Sequence, residues 1–307
     1  MTLQHKFTLI DDVSIHYVES LPLVKGDLTT LIFLHGFPEY WATWRHQLEY
    51  FSKQYRVIAP DLPGYNLSDK PVVTRFYAVP NLISFFASFI QQMCPKQKVI
   101  LIAHDWGGAI AWPLTAFHPQ LVKKLIILNA AHPSTFTREM VTNPQQMKKS
   151  AYIHQLISGS GEQVLSCNNF EFLSDKMMVS PQEGVFTAAI KARYRAVWSQ
   201  PGAINGMLQY YRAMPQLAPS SDTQQQSVQP STASPLKSLS DIKIPNIRIH
   251  VPTLILWGEQ DDAFVNENLD GIEQYVTNCT VVRFPKCSHW LQHEVSDDIN
   301  KAVNSFI

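Results

Sequence analysis

Short apolar runs alternate with longer stretches of mixed character through the first 130 residues and return after about residue 250. Leu31–Leu34, Arg56–Ala59, Val99–Ala103, Leu125–Asn129, Thr253–Trp257 and Thr280–Phe284 are rich in aliphatic and β-branched side chains and lack polar alternation. Runs of this kind predict strands buried on both faces, and hence a mostly parallel sheet flanked by helices. Between them, Asn81–Met93 sets Leu82, Ile83, Phe85, Phe86, Phe89, Ile90 and Met93 at helical spacing, which predicts one buried helix face. From about Pro133 to about Pro245 the strand-like runs disappear, and Pro181–Ser199 and Ala203–Ala213 read as helices. The pattern predicts an α/β core of residues 1–132 and 245–307 interrupted by a helical insertion, 133–244. Within the insertion, Pro219–Pro235 is Ser-, Gln- and Pro-rich with almost no large apolar residue, and is expected to form a loop.

The chain's 307 residues, 45% of them apolar and 16% charged, suffice for a large core and read as a folded enzyme. Lys+Arg and Asp+Glu both total 25, so the footprint of a nucleic-acid or anionic-membrane binder is missing and a small neutral ligand is expected. Met1–Ile10 carries no basic segment followed by an apolar one, and no apolar run reaches the roughly 18 residues of a spanning helix. A soluble, cytoplasmic protein is the expectation. Cys94, Cys167, Cys279 and Cys287 are scattered without metal-ligand spacing and read as reduced thiols. His104, His118, His132, His154 and His250 likewise suggest no metal, and neither nucleotide-binding glycine motif is present, so no cofactor is expected.

The strand at Val99–Ala103 runs through His104-Asp105-Trp106-Gly107-Gly108 into the helix-like Ala109–Phe117, the strand–turn–helix context of a nucleophile elbow. Asp105 stands at its centre, where serine is usual. A carboxylate that attacks a saturated carbon leaves an ester that water can hydrolyse, whereas serine would leave an inert ether. Asp105 therefore points to an epoxide or an alkyl halide. His35-Gly36-Phe37-Pro38-Glu39 occupies the carboxyl end of an early strand, where ligands gather in open α/β sheets. Ser288-His289-Trp290 follows the last strand and supplies a general base. The order nucleophile, acid, histidine places the acid in Gly258-Glu259-Gln260-Asp261-Asp262. Asp261 fits the spacing Trp-Gly-Glu-x-Asp, and Asp262 reads as a solvated or helix-start carboxylate. His104 is expected to order the elbow, and Asp61–Asp69 to form a structural turn.

Together with Asp61-Leu62-Pro63-Gly64-Tyr65, these motifs resemble the α/β-hydrolase-fold epoxide hydrolases in order and spacing over nearly the whole chain. The resemblance implies an α/β-hydrolase fold with a helical cap. It also implies conversion of epoxides to vicinal diols through an Asp105 ester, hydrolysed by water that His289 activates while Asp261 orients it. The family's oxyanion hole maps onto the backbone N–H groups of Phe37 and Trp106. Its two cap tyrosines map onto Tyr152 and Tyr211, with Tyr210 the competing choice for the second. A phenol with a pKa near 10 stays protonated at neutral pH and can share its proton with an alkoxide. The implied partners are a small apolar epoxide and water, and Trp41, Trp44, Trp106 and Trp290 suggest an apolar pocket; the oligomeric state is left open. A haloalkane dehalogenase would share the fold, the nucleophile and Trp106. Phe37 stands where many such enzymes place asparagine, however, and paired tyrosines have no use in halide release. An inactive hydrolase fold serving as a binding protein is the other alternative, against which every catalytic member is present.

Overall fold

The computed structural model describes residues 3–22, 29–214 and 243–307; the expected loop at Pro219–Pro235 lies outside the described residues. Two strands without an extended apolar run, β1 (Gln4–Ile10) and β2 (Val13–Ser20), come first as a hairpin. Asp11 and Asp12 join them with φ of 45° and 64°, the left-handed pair that a two-residue hairpin turn requires. The six expected strands follow as β3 (Thr30–Leu34), β4 (Arg56–Pro60), β5 (Val99–His104), β6 (Val122–Leu128), β7 (Thr253–Gly258) and β8 (Cys279–Phe284).

All eight form one sheet in the order β1-β2-β4-β3-β5-β6-β7-β8, antiparallel across β1-β2-β4 and parallel from β4 to β8. β3, β5 and β7 are buried along their whole length. The expectation of full burial fails for β8, because it is the sheet's edge and exposes several of its side chains.

In chain order the helices are α1 (Arg45–Phe51), α2 (Val79–Met93) and α3 (Trp106–Phe117) in the first half of the core. Then come α4 (Pro133–Thr142), α5 (Pro144–Lys149), α6 (Tyr152–Ile157), α7 (Gly161–Glu171, interrupted at Cys167–Phe170), α8 (Ala188–Trp198) and α9 (Ala203–Ala213). Finally α10 (Leu291–Glu294) and α11 (Ser296–Phe306) close the chain. No strand forms among the described residues of 133–244.

The helix expected over Pro181–Ser199 begins only at Ala188. Gly184 takes φ +78°, and Thr187 caps the helix by accepting a hydrogen bond from the Ile190 N–H, so the preceding residues form a strap across the molecule. No helix among the described residues is long and apolar enough to cross a membrane.

The sheet separates two apolar layers. Phe85, Phe86 and Phe89 of α2 pack with Ile110 and Leu114 of α3 on one face. On the other, Leu48 and Phe51 of α1 pack with Ile299 and Val303 of α11 around Phe33 and Trp44. Parallel order from β4 to β8 puts the loops after β3, β5, β7 and β8 along one edge of the sheet, and that edge carries the chemistry.

Candidate active site

Asp105 follows β5 directly and has φ 48° and ψ −119°, a strained backbone for a residue with a side chain. Close packing holds it there. A Cβ on Gly107 would lie 2.4 Å from the Leu34 carbonyl oxygen and 2.6 Å from that of His35. A Cβ on Gly36 would fall 2.3 Å from Asp105 Oδ1. The turn therefore tightens against the β3 loop, and the Phe37 N–H donates to Asp105 Oδ1 at 2.7 Å. Trp106 is the first residue of α3, where an N–H has no intrahelical acceptor.

His289 Nδ1 lies 2.8 Å from Asp261 Oδ2, while Nε2 stands 3.7 Å from Asp105 Oδ2, beyond a direct hydrogen bond. Asp261 is fixed on both oxygens: Asn129 Nδ2 donates to Oδ2 at 2.7 Å, and the Ala263 and Phe264 N–H groups donate to Oδ1 at 2.6 and 3.1 Å. Burial works against the Asp261 charge, but the His289 imidazole and these donors hold its carboxyl below the usual range. Burial likewise opposes a charged His289, yet the Asp261 carboxylate and its hydrogen bond, followed by Asp105, push the imidazole up to about 9. Asp262 is exposed and starts no helix.

Tyr152 opens α6 and Tyr211 lies near the end of α9, their rings edge to face with centroids 6.3 Å apart. Both line a cavity of about 180 Å³ with Phe37, Asp105, His289 and Trp290. Burial, helped by the Asp105 charge, raises the Tyr152 phenol; burial raises Tyr211 as well, with Tyr152 and Asp105 adding to it. Tyr210 faces away, donating its hydroxyl to the Pro63 carbonyl at 2.8 Å and packing on Trp106.

The expected tryptophan lining is corrected. Trp290 faces the cavity, Trp106 backs Tyr210 and Tyr211, and Trp44 lies in the layer beyond the sheet against Phe33. Trp41 packs on Tyr40 and His5. Lys176 and Asp262 add charged groups to the cavity wall.

Three supporting elements escaped the sequence. Asn129 directly follows β6 and bridges to β7, accepting from the Gly258 N–H at 2.8 Å while holding Asp261. Glu39, fully buried, accepts from the Gly36 N–H at 3.1 Å and Gln292 Nε2 at 2.9 Å, and lies 2.8 Å from His104 Nδ1. Burial opposes its charge, but His104 and His293 hold it well below the usual carboxylate range. The other nitrogen of His104 lies 2.9 Å from the His289 carbonyl oxygen, which ties the elbow to the histidine loop. The third element is the seat of α9: Gly64 of the Asp61–Asp69 turn lies so close to Gly206 that a Cβ on Gly206 would meet the Gly64 carbonyl oxygen at 2.5 Å. The only sequence signals were polar residues at strand ends and a glycine in each of two distant segments.

Chemically, the site offers a carboxylate with one oxygen already bound by an amide, an imidazole–carboxylate pair 3.7 Å from its other oxygen, and two phenols in the same cavity.

Residues 29–295 match the α/β hydrolase fold family. Among curated relatives, epoxide hydrolase 4 of Homo sapiens is 32% identical over 285 residues, covering 90% of this chain and 72% of that protein. Epoxide hydrolase 2 of Caenorhabditis elegans is 30% identical over 308 residues, covering 99% and 79%. Among solved structures, the Bacillus megaterium epoxide hydrolase in complex with an inhibitor is 32% identical, with a TM-score of 0.80 over 98% of this chain and 99% of that one.

Proposed function

This chain belongs to the α/β hydrolase fold family and is an epoxide hydrolase, and we propose that it opens small, largely apolar epoxides through a covalent ester on Asp105. One observation carries the mechanism: a carboxylate at the elbow shares a cavity with two phenols whose protons burial retains.

In the first step Asp105 Oδ2 attacks an epoxide carbon, since Oδ1 is engaged by the Phe37 amide. The ring C–O bond breaks, its electron pair stays on oxygen, and Tyr152 or Tyr211 gives that oxygen a proton. In the second step His289 takes a proton from water, whose oxygen attacks Asp105 Cγ. The resulting oxyanion at Oδ1 rests on the Phe37 amide, with the Trp106 amide as the second donor. Collapse breaks the ester C–O bond. The two water protons end on the departing alkoxide and on the phenolate, and the diol leaves.

Ester formation removes the Asp105 charge, one of the influences that raise His289, so the imidazole gives up its proton more readily when a base is needed. Asp261 keeps the ring aligned through both steps.

The test offers purified protein styrene oxide and 1-bromobutane in parallel and follows diol and bromide. Diol without bromide is expected, abolished in Asp105→Ala; normal diol formation by that variant would remove Asp105 from its role. His289→Gln is expected to retain the ester, read as an intact mass increased by one substrate.

A further inference from the structure

The segment from Phe172 to Thr187, a helical turn at Phe172–Met177 followed by the strap, buries Leu173 and Met178 and places Phe172, Lys176, Met177 and Val179 against the inner cavity. Among the described residues, two polar bonds fasten the strap: the Ser180 hydroxyl donates to Glu294 Oε1 at 2.6 Å, and the Gln182 amide donates to Cys287 Sγ at 3.4 Å. Glu294 ends α10, and the same carboxylate receives the Ser288 hydroxyl on Oε1 at 2.5 Å and the Ser288 N–H on Oε2 at 2.7 Å. Ser288 is the residue before the general base. A second, more open cavity of about 410 Å³, lined by Lys149, Ser180, Glu259 and Asp261, shares Val179, Asp262 and Ser288 with the inner one. Ser288, which two of the three Glu294 hydrogen bonds hold, thus lines both cavities.

We propose that Glu294 is a positioning residue that clamps the strap to the peptide carrying His289, so that closure over the substrate and alignment of the base are one event. The inference rests on the Asp105–His289 mechanism. Carboxylate hydrogen bonds are short and strong, and three on one group fix both the strap and the histidine loop. On the far side His104 reaches the His289 carbonyl, so the loop is pinned from two directions and loses one when Glu294 goes. A small tilt of His289 affects water activation but not the attack of Asp105, which needs no base. Ser180 bonds Glu294 from the strap side only and governs passage of substrate and product.

The clamp predicts different effects on the two chemical steps. Rapid-quench mass spectrometry with styrene oxide separates ester formation from ester hydrolysis. Glu294→Ala is expected to slow hydrolysis by about tenfold or more, as small misplacements of catalytic groups do. Ester then accumulates in the steady state, with formation at saturating substrate within about twofold of wild type. Glu294→Gln is expected to restore most of the loss, its carbonyl accepting from the Ser288 N–H and its amide donating to the two hydroxyls. Ser180→Ala is expected to raise KM by about threefold, the scale of one hydrogen bond, and to leave ester hydrolysis alone. Should Glu294→Ala fail to fold, Ser180→Ala against Ser288→Ala carries the same contrast, the first moving KM and the second hydrolysis. Equal slowing of both steps, no change in either, or a glutamine variant no better than alanine would overturn the proposal. Absence of ester in His289→Gln, whose Glu294 is intact, would instead strike the mechanism beneath it.

Discussion

Asp105 lends His289 part of its basicity and, in the proposed mechanism, would withdraw it on becoming an ester, so the two chemical steps should see different imidazoles. The free enzyme holds His289 at about 9. Hydrolysis of the ester requires the neutral ring, and its single-turnover rate is expected to rise with pH to a plateau, with a midpoint below that value. Ester formation should show no such rise. A midpoint at or above 9 would mean that Asp105 does not contribute to the shift. The tyrosines divide in the same way. Tyr152→Phe and Tyr211→Phe each remove a proton donor and should slow ester formation by roughly a hundredfold, the usual scale of general acid catalysis. Tyr210→Phe loses only its bond to Pro63, so it should cost about 1 kcal/mol of stability in denaturant unfolding while ester formation proceeds normally.

At the scale of elements, the β5–Asp105–α3 unit depends on a contact that no side chain fits. Gly107→Ala would drive a Cβ into two backbone carbonyls of the β3 loop, and overpacking of this kind costs about 1–3 kcal/mol. Reduced stability in denaturant is expected together with lost turnover, because the turn that aims Asp105 must open. Gly159→Ala, which meets nothing within 4 Å, is the control and should leave both unchanged. This unit was legible in the sequence because a buried strand, a strained turn and a helix face each leave a local pattern. The hairpin of β1 and β2 was not, since a half-exposed edge strand has no apolar run and its turn is signalled only by Asp11-Asp12. The start of α8 was misplaced because the apolar residues before it line the strap and pack on Trp290, which mimics a continuing helix face. Asn129 and Glu39 were illegible for a different reason. Their partners, Asp261 and His104, are far away in the chain and become neighbours only once the strand order is set.

Across the whole molecule, the histidines set opposing limits on stability. His35, His132 and His293 are lowered, each primarily by burial, so the folded protein binds fewer protons than the unfolded chain as pH falls below about 6.5. Their contribution is complete above that pH and is lost on acidification. His289 has the reverse sign: its folded value of about 9 exceeds the ordinary 6.5 of a histidine, so its contribution is full below 6.5 and disappears as pH rises through 9. Asp261, held low, adds stability above the ordinary carboxylate range that survives until pH falls through its folded value. The molecule should therefore be most stable near pH 6.5, between an acid limb owned by buried neutral imidazoles and an alkaline limb that begins with His289. Melting temperatures taken between pH 5 and 8 test this directly, below the ionisation of unfolded thiols near 8.5, where burial of Cys94, Cys279 and Cys287 adds a further alkaline decline. Wild type should lose stability on both sides of the maximum. His289→Gln should begin lower but lose the decline between pH 7 and 8, because in that range the proton released on unfolding of wild type comes from that ring. An alkaline limb unchanged in the variant would place the linked proton elsewhere and deny that the Asp261–His289 pair contributes to folding as well as to catalysis.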